Sequence, residues 1–139
     1  MSRLSDGIVE AGSVVKFTAA GTWRLDDFYN GKTIVLGLAT GGQHFVLPKP
    51  QAGFRLEFIS GVDLATSNST ITTYGTTQNV IAGLIASPGL LPNTLSTEVD
   101  VITFVQGVAD IGDRVQLVCD GTYWYVSGNV HVSNGITLA

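Results

Sequence analysis

The sequence predicts an all-β protein, an antiparallel β-sandwich or jelly-roll-like barrel, on three observations. Short segments rich in Val, Ile, Thr, Phe and Tyr recur between Gly, Asn, Asp and Pro; no useful window carries helical periodicity; and Asp-Gly and Asn-Gly pairs stand where tight turns are needed. Residues 1–12 are expected as a partly ordered N-terminal arm and residues 13–139 as a single β domain. That is the usual length for one core without disulfides or a structural metal.

In chain order, residues 14–19 form a weak strand. The Trp23 region and residues 33–38 are expected to pair across Asn30-Gly31 as a hairpin. Another weak strand covers 44–47. The clearest is 54–60, where Phe54, Leu56 and Phe58 alternate with Arg55 and Glu57, so one face is apolar and the other wet. Weak strands follow at 70–74 and 79–82. Residues 83–97 break the rhythm, because Pro88, Gly89 and Pro92 disfavour a central strand; a long loop carrying Leu84, Ile85, Leu90, Leu91 and Leu95 is expected. Val99, Val101, Thr103 and Val105 alternate through a strand that begins charged and ends apolar. Val115, Leu117 and Cys119 lead into Asp120-Gly121, a hairpin turn, and residues 122–127 return with Trp124 and Val126 on one face and Tyr123 and Tyr125 on the other. Residues 129–132 are a last weak strand before a turn at Asn134-Gly135.

Charged residues make up 13% of the chain, about half the roughly 25% of an average soluble domain. A surface so poor in charge must be covered by Thr, Ser, Asn, Gly and apolar atoms, and contiguous apolar surface usually marks contacts with other chains. The net charge of -4, without a Lys/Arg cluster, argues against nucleic acid. The first residues lack the order of a signal peptide, and no apolar run approaches a membrane span. Cys119, the single cysteine, excludes an intrachain disulfide and reads as a small buried hydrophobe.

Catalysis needs a base brought to a nucleophile or metal, and the sequence offers little for either. His44 and His131 lie in strand-like surroundings without a motif. Ser5, Ser60 and Ser127 lack a nucleophile-elbow context. Asp26, Asp27 and Asn30 share a few residues with a calcium loop, but Phe28 occupies its third position and no Glu closes the pattern, so a hairpin turn is the better reading. Lys49, Arg55 and Arg114 are scattered and read as strand-face or cross-strand charges. No catalytic, metal or cofactor residue is nominated, and no enzyme activity is expected. The aromatic residues Trp23, Trp124, Tyr123 and Tyr125 could stack on a sugar, but filling a core or an oligomer interface is the commoner use of such side chains.

Two motifs carry a family resemblance. One is FVLPKPQAGFRLEFI at 45–59, a Leu-Pro, a spacer, a Gly and an alternating strand; the other is GDRVQLVCDGTYWYVSG at 112–128, a Gly-Asp, an apolar strand, an Asp-Gly-Thr turn, an aromatic-Trp-Tyr-Val strand and a final Gly. Together they bound more than half of the chain and resemble a β domain that recurs in phage and other viral structural proteins, often near fibre C-termini. Residues 83–97 look like an insertion relative to that pattern, and Cys119 replaces a more usual small polar residue. A chain this short, with no fibre shaft before the match, resembles a stand-alone capsid decoration, or cement, protein. The resemblance implies a homotrimer at the virion surface that binds the major capsid protein. In that reading the partner contacts are Leu4, Ile8 and Val9 of the arm and Leu90 and Leu91 of the loop, while Trp23, Phe54, Phe58, Trp124 and Tyr125 pack the core or the oligomer. Membrane and nucleic acid are not among the expected partners. The alternative is a tail fibre or baseplate component that recognises a host surface glycan.

Overall fold

The computed structural model describes residues 2–5, 7–75, 80–88 and 94–139. These form two mixed β-sheets packed face to face, the sandwich expected from the strand grammar. The larger sheet has nine strands in the order β1-β2-β3-β5-β7-β12-β13-β9-β10, and the smaller has five in the order β14-β11-β8-β6-β4. The strands of the first half are β1 Ser2–Ser5, β2 Ile8–Ala11, β3 Val14–Phe17, β4 Gly21–Arg24, β5 Lys32–Leu36, β6 Gln43–Val46, β7 Arg55–Ser60 and β8 Ser69–Thr72. Those of the second half are β9 Ile81–Ala86, β10 Thr94–Val99, β11 Val101–Phe104, β12 Arg114–Cys119, β13 Trp124–Asn129 and β14 Ile136–Leu138.

Pairing is mixed, not wholly antiparallel. From β3 to β8 the chain alternates between sheets, so that β3, β5 and β7 lie parallel in one and β4, β6 and β8 parallel in the other. This is a short spiral, each turn laying one strand in each layer. It overturns the hairpin expected at Asn30-Gly31, since the strands on either side belong to different sheets. A 3-10 turn, Asp27–Tyr29, follows β4; the Asp26 carboxylate accepts from the Phe28 N–H, and Gly31 takes a φ of 80° to enter β5. Asn-Gly supplies positive φ to any tight turn and does not say which sheet comes next.

Three further boundaries differ from expectation. The segment 83–97 lies largely in a strand pair: β9 runs through Gly83 to Ala86, and β10 returns beside it. Gly83 is required by close approach, because a Cβ there would lie 1.9 Å from the Val126 carbonyl oxygen of the parallel neighbour β13. The run through 99–105 is split at Asp100, where the chain leaves the larger sheet and enters the smaller; the Asp100 and Val101 N–H groups both donate to the Ala139 carbonyl. Residues 131–134 form the turn expected at Asn134-Gly135, with φ of 68° at Asn134, and β13 ends at Asn129, so no separate strand covers 129–132.

The core lies between the layers and is aromatic at one end. Phe45 of β6 meets Phe17 at 5.0 Å, Trp23 at 5.5 Å and Phe58 at 5.5 Å between ring centroids, joining strands of both sheets. Toward the other end Trp124, wholly buried, packs on Phe54 at 5.6 Å. The hairpin β12–β13 forms as its sequence predicts: the Asp120 carboxylate accepts from the N–H groups of Thr122 and Tyr123, each at 2.8 Å, and Gly121 has φ of 100°. Those two bonds, Tyr123 first, hold the Asp120 carboxyl below its ordinary pKa. Residues 2–5 and 8–11, expected as an arm, lie in β1 and β2, an antiparallel hairpin on the edge of the larger sheet.

Candidate functional site

Strand alternation sends every second side chain of the larger sheet away from the core, and on that side a broad face stands open. Register places Val9, Lys16, Val35, Ile59, Arg114, Asn129 and Ala86 in one row across seven strands. The adjacent row holds Ala11, Val14, Thr33, Glu57, Gln116, Ser127 and Leu84. With strands about 4.8 Å apart and five residues per strand, nine strands present roughly 38 by 17 Å, close to the area one partner brings to a standard protein interface.

The face has a polar centre and apolar flanks. Glu57 is the hub: its carboxylate accepts from the Thr33 hydroxyl at 3.1 Å and the Gln116 amide at 3.0 Å, and the Arg114 guanidinium stands 3.9 Å away. These are the cross-strand pairs expected of Arg114, and they knit β5, β7 and β12 together. On one flank lie Val9 and Val14, on the other Leu84 and Tyr125, all exposed. Tyr125 donates its hydroxyl to Asp120 at 2.8 Å, which raises the phenol's pKa by favouring the protonated form and fixes the ring upright over the turn. Two shallow depressions lie on this face beside Gln116 and Ser127.

The predicted packing residues divide between inside and outside. Phe54, Phe58 and Trp124 are buried and Trp23 packs partly buried against them, whereas Tyr125 is 48% exposed on the open face. Of the predicted contact residues, Val9 is exposed on that face, and Ile8 packs partly buried against the core. Leu4 stands opposite Val9 in the β1–β2 register, while Leu90 and Leu91 lie outside the described residues. The smaller sheet ends at β4, whose Trp23 sits 4.7 Å from Phe17 of β3; β2 and β1 therefore carry the larger sheet beyond that edge.

Sequence reasoning left one polar cluster unfound. Asp113, fully buried at the start of β12, accepts at Oδ1 from the His131 backbone N–H at 3.0 Å and at Oδ2 from the Asp110 N–H at 3.0 Å. Its Oδ1 also lies 2.7 Å from His131 Nδ1, and this bond raises the imidazole's pKa above 6.5. The ring is otherwise largely in solvent, and the arrangement fastens the turn after β13 to the start of β12. The signal was the Gly-Asp before an apolar strand, which alone cannot name its partner 18 residues on. Among the described residues no group of three or more His, Cys, Asp or Glu is placed to hold a metal ion, and no helix is long and apolar enough to cross a membrane.

Comparison with protein families, with curated proteins and with solved structures finds no match for the chain. The fold places it among mixed two-sheet β-sandwiches.

Proposed function

We propose that this chain is a virion structural protein, a capsid decoration or cement protein that binds the major capsid protein shell as a trimer and stabilises it at the virion surface. The observation that carries the reading is the open face of the larger sheet, continued by the β1–β2 hairpin past the edge of the smaller sheet. A broad face with a small polar centre and apolar flanks suits contact with another protein surface better than a small substrate. Repetition of such contacts around a closed ring gives avidity without one large site. The reading requires no cofactor, metal or catalytic residue, and neither nucleic acid nor a membrane as partner.

The test is cosedimentation of the purified protein with capsids that lack it, together with its solution mass by light scattering. Saturable binding by a species of three times the 14.6 kDa chain mass is expected. A monomer that never binds capsids overturns the reading. The second reading, a tail fibre or baseplate component that recognises a host glycan, draws on a different feature, a depression lined by Asp26, Asp27, Lys49 and Gln51 and by the exposed rings of Phe28 and Tyr74.

A further inference from the structure

Because β4, β6 and β8 run parallel, their carboxyl ends reach the same end of the smaller sheet, and the chain leaving each one contributes to a single cleft. In open α/β sheets ligands bind outside the carboxyl ends of parallel strands, where successive connections meet, and the same juxtaposition of connections arises here. After β4 come Asp26, Asp27 and Phe28; after β6, Lys49 and Gln51; after β8, Tyr74. Phe28 and Tyr74 are 41% and 43% exposed, which leaves two large aromatic side chains in water at the rim of one depression. The polar groups between them are partly fixed: Gln51 donates to Asp27 Oδ1 at 3.0 Å, Asp26 Oδ1 accepts from the Phe28 N–H at 3.1 Å, and the Lys32 ammonium lies 4.8 Å from the Phe28 ring centre. Each carboxylate keeps a second oxygen outside these bonds.

We propose that this cleft is a carbohydrate-binding site for a neutral saccharide, held by Phe28 and Tyr74 against the sugar's C–H faces and by Asp26, Asp27, Lys49 and Gln51 through its hydroxyl groups. The class follows from the chemistry. The Phe28 and Tyr74 rings offer apolar faces beside polar groups, which suits ligands that are apolar on one side and wet on the other, and carboxylates accept strongly from hydroxyl donors. Asp26 and Asp27 are balanced by Lys49 and Lys32, so the rim carries no net charge and a neutral ligand is the class that fits it. Of the four stacking candidates in the sequence, Trp124 is buried, Trp23 is committed to Phe17 and Phe45, and Tyr123 and Tyr125 do not line this depression. The site rests on the second reading, that of glycan recognition; it is distinct from the open face of the larger sheet and does not depend on the capsid reading.

The experiment is saturation-transfer NMR on the intact chain with neutral oligomers of glucose, galactose, mannose and N-acetylglucosamine, and with oligogalacturonate as the acidic control. Transfer to the ring C–H protons of at least one neutral oligomer is expected, with none to oligogalacturonate. The double variant Phe28→Ala/Tyr74→Ala should weaken that binding at least ~10-fold, as expected for two lost ring contacts, while keeping the wild-type melting temperature and capsid cosedimentation. Should the double variant fail to fold, Tyr74→Ala alone serves, with a loss of about threefold or more expected from one ring. No transfer to any neutral oligomer, or transfer unchanged in the folded variant, overturns the proposal. Neither result bears on capsid binding, which the same samples report separately.

Discussion

At the scale of single residues, stability rests on a few buried groups with unequal consequences. Trp124→Ala removes a wholly buried indole from beside Phe54, and a loss of about 3–5 kcal/mol in urea unfolding is expected. Asp113→Ala leaves the backbone N–H groups of Asp110 and His131 without their acceptor, at about 1–3 kcal/mol each, while the imidazole turns to solvent. His131 predicts a pH signature. Its pKa in the folded state is raised above 6.5, chiefly by the hydrogen bond to Asp113 and also by the charge of Asp113, with Asp110 and Asp63 adding smaller attraction. The bond therefore contributes fully below pH 6.5 and fades as pH rises through the folded value. The melting-temperature gap between wild type and His131→Gln should be widest below pH 6.5 and narrow above it; a gap independent of pH would sink this account. None of this was legible in the chain, where His131 stood between two valines without a motif. The core positions of Phe54, Phe58 and Trp124 were legible, because alternation alone puts them on one face.

At the scale of elements, the strands with strict alternation and the turns with Asp-Gly or Asn-Gly were recognisable, and β7 and the β12–β13 hairpin stand nearly where their residues predict. Elements that depend on close backbone approach were not. Gly83 looked like a strand breaker, yet it is the residue that lets β9 lie parallel against β13. Gly83→Ala should therefore displace β9 and lower the melting temperature by several degrees, whereas Gly107→Ala, with open space at its Cβ, should show only the smaller cost of a positive φ. Scanning calorimetry of the two variants side by side checks this. Deletion through Gly12 removes the two outermost strands and leaves β3 as the new edge. Folding should survive while capsid cosedimentation weakens; unchanged binding would take the hairpin out of the contact.

At the scale of the whole molecule, the two layers divide the labour. One sheet presents a broad outward face and runs past the edge of its partner, and the other gathers three parallel strand ends at one depression. Leu84→Glu, on the open face, should leave the fold intact and reduce capsid binding, measured by cosedimentation against the wild-type protein. The sequence by itself determined the all-β class, the low surface charge and the inside and outside of the best strands, because each follows from composition or from a period of two. Sheet membership, the parallel spiral and the meeting of Asp113 with His131 or Phe28 with Tyr74 were decided by tertiary structure. A turn residue specifies a local change of direction; which layer receives the next strand depends on burying apolar faces contributed by strands distant in the chain.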